Sequence, residues 1–342
     1  MDRANRTGWN PTATYFWSFA SPFIQSKGTS QGLFFDAGTM DITVNTRVFR
    51  EVAQMYYDLS NCGPYLNTSM VRAHWLAGRC AIAMDWGNIA TLSQKNTSTV
   101  ANVTVMSLPP GSRRVYNRDT QQLEECTKEL CPLADSNGVN RAPFAATLGW
   151  TSAVSRFIPE SRKNAAYGFL SYLSQPSNSI QAVLLGSGWD VVRESQMQSD
   201  IFISSGWTNL TATSMVVAAR GAQNHLNAVV DLPLEKWSEY YQIFGTKMSA
   251  FIHDEISLDE LQSGISREWD SLLDKYGRRE QHIAYALSIG AHRPVFDNEV
   301  TLPDALRISF IVISCLCVFI VIGLVVFVIL HRNKKVCGFN AR

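Results

Sequence analysis

The sequence predicts an α/β protein carrying one transmembrane helix near its C-terminus. Short strand-like runs alternate with amphipathic helical stretches through most of the chain. The run Ile308–Leu330 (ISFIVISCLCVFIVIGLVVFVIL) holds no charged residue, and about 20 apolar residues cross a bilayer core. The 342 residues are 46% hydrophobic with a net charge of +1. That length suits one large domain or two modest ones, and so neutral a balance gives no electrostatic footprint for nucleic acid.

Residues 15–35 (YFWSFASPFIQSKGTSQGLFF) are aromatic-rich and read as irregular. The stretch FFDAGTMDITVN sets turn residues between short apolar runs, as a hairpin does. Arg47–Ser60 places Val48, Val52, Met55, Tyr56 and Leu59 on one helical face. Val71–Ala77 reads as a short helix leading into a strand at Cys80–Met84. Residues 100–110 read as a strand ending in a Pro-Pro turn, and residues 111–141 as a polar surface insertion. Thr147–Ser155 reads as a buried strand. Pro159 opens a helix whose apolar face is Ala166, Phe169, Leu170 and Leu173, stopped before Pro176. Helices are expected over 214–230 and 236–253. The clearest runs from Ser257 to Tyr276, where Ser257 and Glu260 form a capping box and Leu258, Leu261, Ile265, Trp269, Leu272 and Tyr276 make one stripe.

His331, Arg332, Lys334 and Lys335 follow the apolar run. The positive-inside rule puts that end in the cytoplasm. The expected organisation is an ectodomain over 1–290, a linker over 291–307, the span 308–330 and a basic tail over 331–342. It implies a single-pass protein of the plasma membrane, N-terminus outside, in contact with the lipid bilayer and open to homodimerisation through its span. Sequons stand at Asn5, Asn67, Asn96, Asn102 and Asn209. Cys126 and Cys131 flank a charged stretch, where a local bridge is one reading. With Cys62 and Cys80 they allow three pairings, which stay open, as does a buried free thiol at Cys80. Cys315 and Cys317 read as apolar fillers and juxtamembrane Cys337 as a palmitoylation candidate. Met1–Asn10 has no apolar core of a signal peptide. The expectation is therefore a piece of a longer polypeptide.

Catalytic signatures do not stand out. There is no Walker loop, H-E-x-x-H or C-x-x-C, and the six histidines are scattered without metal-ligand spacing. The expectation is no enzyme, no cofactor and no metal. What recurs is tryptophan beside glycine and a polar residue where apolar runs end: Asp85-Trp86-Gly87, Gly149-Trp150-Thr151 and Gly188-Trp189-Asp190. Tyr240-Tyr241 opens another element. A flat ring packs on the C–H face of a sugar while a neighbouring carboxylate accepts from its hydroxyls. Each tryptophan also serves equally well as a plain core anchor.

HWLAGRCAIAMDWGNIATL resembles a stretch of extracellular solute-binding proteins of the sugar-binding type, in which a helix and strand precede a Trp-bearing turn. VTVMSLPPG looks like their next strand. TLGWTSAVSRFIPESRKNAAYGFLSYLSQPSNSIQAVLLGSGWDVVR is similar to their following strand, helix and Arg-bearing loop, and YYQIFGTKMSAFIHDEISLDELQSGISREW to their closing helices. The order matches over roughly residues 30–280. The resemblance implies a periplasmic-binding-protein-like type II fold of two α/β lobes, here lacking most of the first, that closes on a small solute such as a carbohydrate. It puts Asp85, Trp86, Trp150, Trp189, Arg193, Tyr240 and Tyr241 at the ligand, although Val191 replaces the usual proline of the Arg loop. With the membrane span it resembles algal receptors in which such an ectodomain precedes a nucleotide cyclase. The implied function is membrane-anchored solute sensing, the alternatives being a fragment of such a receptor cyclase, the tethered component of an ABC transporter, or a degenerate ectodomain.

Overall fold

Helix α1, Pro11–Ile24, explains most of the fold. Ala13, Phe16, Trp17, Ala20 and Ile24 fall on one face at the helical period and are buried almost completely. Pro22 sits in its last turn, where Ser21 returns its hydroxyl to the Ser18 carbonyl (3.2 Å). The computed structural model describes residues 11–62, 68–144, 152–186 and 189–296. Two units are distinguished, Met1–Pro294 and Val295–Arg342, and every element named here lies in the first.

A large core gathers around α1. Phe34-Phe35 meets Ile42 in a short antiparallel bridge, and the Asp36 carboxylate closes the turn by accepting the Gly38 and Thr39 amides (2.8 and 3.0 Å). Helix α2, Arg47–Ser60, is capped by Thr46 and buries Val48, Phe49, Val52 and Ala53. A two-stranded hairpin, β1 (Arg114–Asn117) and β2 (Gln122–Glu125), pairs Val115 with Glu124 and Tyr116 with Leu123.

Of the later helices, three belong to this core. Helix α9, Trp237–Ile252, and α10, Leu258–Lys275, lay Phe244 and Trp269 against Trp17, with ring centroids 5.0 and 6.3 Å away. Helix α11, Arg278–Ser288, inserts Tyr285, whose hydroxyl accepts the buried Phe34 and Phe35 amides (3.3 and 3.4 Å).

A second, smaller core lies in the same unit. Helix α3 is Thr68–Leu76 and α4 is Ile89–Ser93. Then come α5, Glu160–Ser174, α6, Pro176–Leu184, α7, Ser199–Ser204, and α8, Asn209–Gln223. Ala90, Ile180, Val183, Val191, Met197, Phe202, Trp207, Ala212, Met215 and Val216 form this core. Asn227 is buried beside the large core, just before Val229. Its Nδ2 donates to the Gln25 and Arg141 carbonyls and to Asn140 Oδ1 (2.9, 3.0 and 3.1 Å), and its Oδ1 accepts the Gly28 amide (2.9 Å).

Several expectations are corrected. The α/β class gives way to a mostly helical unit: among the described residues the one sheet is the hairpin, with isolated bridges beside it. Cys80–Met84 and residues 100–110 form no strands, and Ile82 stands 90% exposed. A short apolar run carries the same pattern whether it becomes strand or not, and only a neighbouring ladder decides. Residues 145–151, most of the third expected strand, lie outside the described residues, and 152–155 are exposed and irregular. Residues 15–24, read as irregular, are helical. The polar insertion sends Tyr116 and Leu123 into the large core and buries Val115 as well. The Pro159 helix forms, yet α5 buries no residue.

The expected transmembrane helix and the single-pass plasma-membrane placement are corrected as well. Among the described residues no helix is long and apolar enough to cross a membrane, and residues 308–330 lie outside them.

Candidate functional site

The site is built from α3 outward. Trp75 of α3 donates from Nε1 to Ser93 Oγ of α4 (2.9 Å), docking the two helices. Arg72, one turn earlier on the same face, is thereby aimed at the loop before α4. It grips Asp85 with two parallel bonds, Nε to Oδ2 at 2.8 Å and Nη2 to Oδ1 at 2.7 Å, and reaches Asn88 Oδ1 at 3.2 Å. Only 1% of the Asp85 side chain is exposed. Its Oδ1 also accepts the Trp86 amide (2.6 Å). A carboxylate offers about four acceptor positions, so three are taken.

Asp190 comes to the same place from the far end of the small core. A Cβ on Gly87 would fall 2.9 Å from its Oδ1, so only glycine leaves that carboxylate its position. The Oδ1 atom is buried and has no hydrogen-bond partner among the described residues. Burial raises the Asp190 pKa, and the Asp85 charge adds to the rise, while the Asn88 amide and Arg72 pull it back in part. Beside it in the chain, Trp189 is 46% exposed.

Tyr15 joins from α1. Its ring meets Trp86 edge-on, centroids 5.2 Å apart. Burial, and then the negative charge of Asp85, push its hydroxyl up to about 12. The cluster therefore combines a neutralised ion pair, a second acid with one unused oxygen and the paired rings of Tyr15 and Trp86, contributed by α1, α3 and two loops, with the exposed Trp189 next to Asp190 in the chain.

Of the expected ligand residues, Asp85 and Trp86 lie in this cluster, and Trp189 is the chain neighbour of Asp190. Arg193 is not. It donates to the Ser174 carbonyl at the end of α5 (2.7 Å). Tyr240 and Tyr241 lie in the large core, 0% and 1% exposed, with the Tyr241 hydroxyl bonded to Asp231. They offer no surface to a solute. Trp150 lies outside the described residues, as do Asn5 and Asn67. Asn96, Asn102 and Asn209 are exposed. The Asn102 side chain accepts the Thr208 amide ahead of α8 (3.2 Å) and Asn209 accepts from Thr213 (3.1 Å). Of the cysteines, Cys126 and Cys131 are bridged, while Cys62 and Cys80 are free thiols.

Sequence reasoning missed Arg72, Asn88 and Tyr15 as site residues. Asp190 carried a signal, standing beside a tryptophan after glycine as Asp85 stands beside one before glycine.

An open concavity of about 600 Å³ lies elsewhere, lined by Leu133, Val217, Arg220, Gly221, Asn224, His225 and Leu226. It has no aromatic face, and Arg220 is engaged by the Met197 carbonyl (2.9 Å) and Glu194 (3.3 Å). The first cluster has the richer recognition chemistry. Among the described residues no group of three or more His, Cys, Asp or Glu is placed to hold a metal ion.

No family model matches the chain, and no curated protein does. Among solved structures it is similar to maltose-bound T. maritima MalE3, with a TM-score of 0.53 and 16% identity. The likeness is one of fold. It covers 76% of this chain and 57% of that one, so the chain spans little more than half the length of this neighbour. The expected resemblance to solute-binding proteins agrees with this neighbour in fold.

Proposed function

We propose that the chain binds a small hydroxylated solute, a saccharide, between Trp86 and Trp189, and that it binds without turning the solute over. The observation that carries the reading is the Asp85 carboxylate, fixed by Arg72 beside a half-buried tryptophan, with Asp190 against Gly87. Preorganised acceptors beside flat apolar faces are what a sugar ring requires, since its C–H face is apolar and its rim is a ring of hydroxyl donors. Asp85 fixes the loop that presents Trp86, and the Asp190 carboxylate, with its unused Oδ1, would take those donors. The fold likeness to a protein solved with maltose supports the same class of ligand.

The site also joins the two cores. Tyr15 belongs to the helix at the heart of the large core, whereas Asp85 and Asp190 flank residues of the small one. A solute touching both sides would favour the arrangement in which they are closest, by its difference in affinity for the two.

Titration of the full chain with maltose, cellobiose and trehalose, followed by tryptophan fluorescence and calorimetry, tests the reading. A saturable change with at least one saccharide is expected, weakened at least tenfold by Trp86→Ala. No saturable signal with any of them, or an unweakened Trp86→Ala, would sink it.

A further inference from the structure

We propose that the solute carries a protonated amine, seated against the Asp190 carboxylate, so that the ligand is an amino sugar rather than a neutral one. The inference rests on the saccharide-binding reading and sharpens its ligand class. It starts from the charges. Arg72 and Asp85 neutralise each other through two short parallel bonds, and the remaining reach of Arg72 goes to Asn88. Two carboxylates share that one guanidinium, so Asp190, offset only in part by the Asn88 amide and the Arg72 charge, keeps a buried oxygen that no described group partners.

An unpartnered buried carboxylate oxygen is costly. A neutral hydroxyl would supply one hydrogen bond and leave the charge standing. An ammonium supplies both hydrogen bonds and the opposite charge. The indoles of Trp86 and Trp189 stand one chain position from Gly87 and Asp190, and the face of an indole attracts a cation better than a neutral group. An anionic solute would add a second uncompensated negative charge in a poorly solvated place. Gly87 fits the same picture, because any side chain there would press on Asp190 Oδ1 from 2.9 Å. The upward push of burial on the Asp190 carboxyl is consistent with a group waiting for a cation.

The test uses three β-1,4-linked disaccharides of one shape, titrated calorimetrically into the full chain at pH 7. They are diglucosamine with free amines, its N-acetylated form, and cellobiose with hydroxyls in place of the amines. Diglucosamine is expected to bind at least tenfold tighter than either of the others. Asp190→Asn is expected to bring the affinity ratio close to one. Gly87→Ala keeps the charge but displaces it, and is expected to reduce the ratio, which covers the case in which Asp190→Asn does not fold. Equal binding of the three sugars, or a preference that survives both substitutions, overturns the inference and leaves the saccharide reading standing; that outcome points to an ordered water on Asp190. Failure of all three and of maltose overturns the saccharide reading and this inference together.

Discussion

Asp190 shows how much one buried oxygen can decide. Its folded-state pKa lies above the ordinary 3.8, chiefly through burial. The folded chain therefore holds a proton that the unfolded chain has released, over the interval from 3.8 up to the raised value. Stability from this group is greatest below that interval and is lost as pH rises through it. Asp190→Asn removes the penalty. The ligand-free variant is expected to be more stable than the parent at pH 7 and to lose that advantage toward pH 4, as read from paired urea titrations. An advantage independent of pH would show that the carboxyl is not strained by burial. The sequence pointed toward this residue only through its tryptophan neighbour. Arg72 and Tyr15 were illegible because nothing near them in the chain marks them. Arg72 matters through Asp85, thirteen positions on, and Tyr15 through Trp86, which only the fold brings near.

At the scale of elements, legibility followed local chemistry. Helix α10 was readable from its capping box, since Ser257 accepts the Glu260 amide (3.3 Å) and Glu260 accepts the Ser257 amide (2.8 Å). Helix α2 was readable from its stripe, although Leu59 ends 57% exposed. Helix α1 was not, because aromatic residues on every side hide its buried face and Pro22 looks like a breaker until it proves to sit in the last turn. Cys80–Met84 failed in the opposite sense, for a strand needs a partner and the run contains no information about one. The hairpin was hidden by its charges, yet it carries Tyr116 and Leu123 into the large core. Its disulfide closes the loop Cys126–Cys131 against the end of β2. The double substitution Cys126→Ser with Cys131→Ser is expected to cost about 2 kcal/mol by the loop-entropy relation. Denaturant midpoints of parent and variant check this, and an unchanged midpoint would mean that the hairpin is held by its core residues alone.

At the scale of the molecule, the unit Met1–Pro294 has two apolar cores and a polar knot that ties distant chain segments beside the larger one. Asn227 is fully buried and serves carbonyls, an amide and a side chain from residues 25 to 28 and 140 to 141. Asn227→Ala leaves several of these groups unsatisfied, so a loss of about 3 kcal/mol is expected. Denaturant midpoints of parent and variant read the loss. A loss below about 0.5 kcal/mol would contradict the role given to this residue. None of this was legible beforehand, because the knot joins segments some two hundred positions apart in the chain. The solute-binding resemblance agrees with a solved neighbour in fold, and the sheet content it implied was not realised.

The central claim is that a saccharide binds at Asp85, Trp86 and Asp190, and calorimetric titration of the full chain and of Trp86→Ala with diglucosamine tests it most directly. Saturable one-site binding to the parent and at least a tenfold loss in the variant are expected. Equal affinity in both proteins, or no heat of binding to the parent for diglucosamine, cellobiose or maltose, would contradict it.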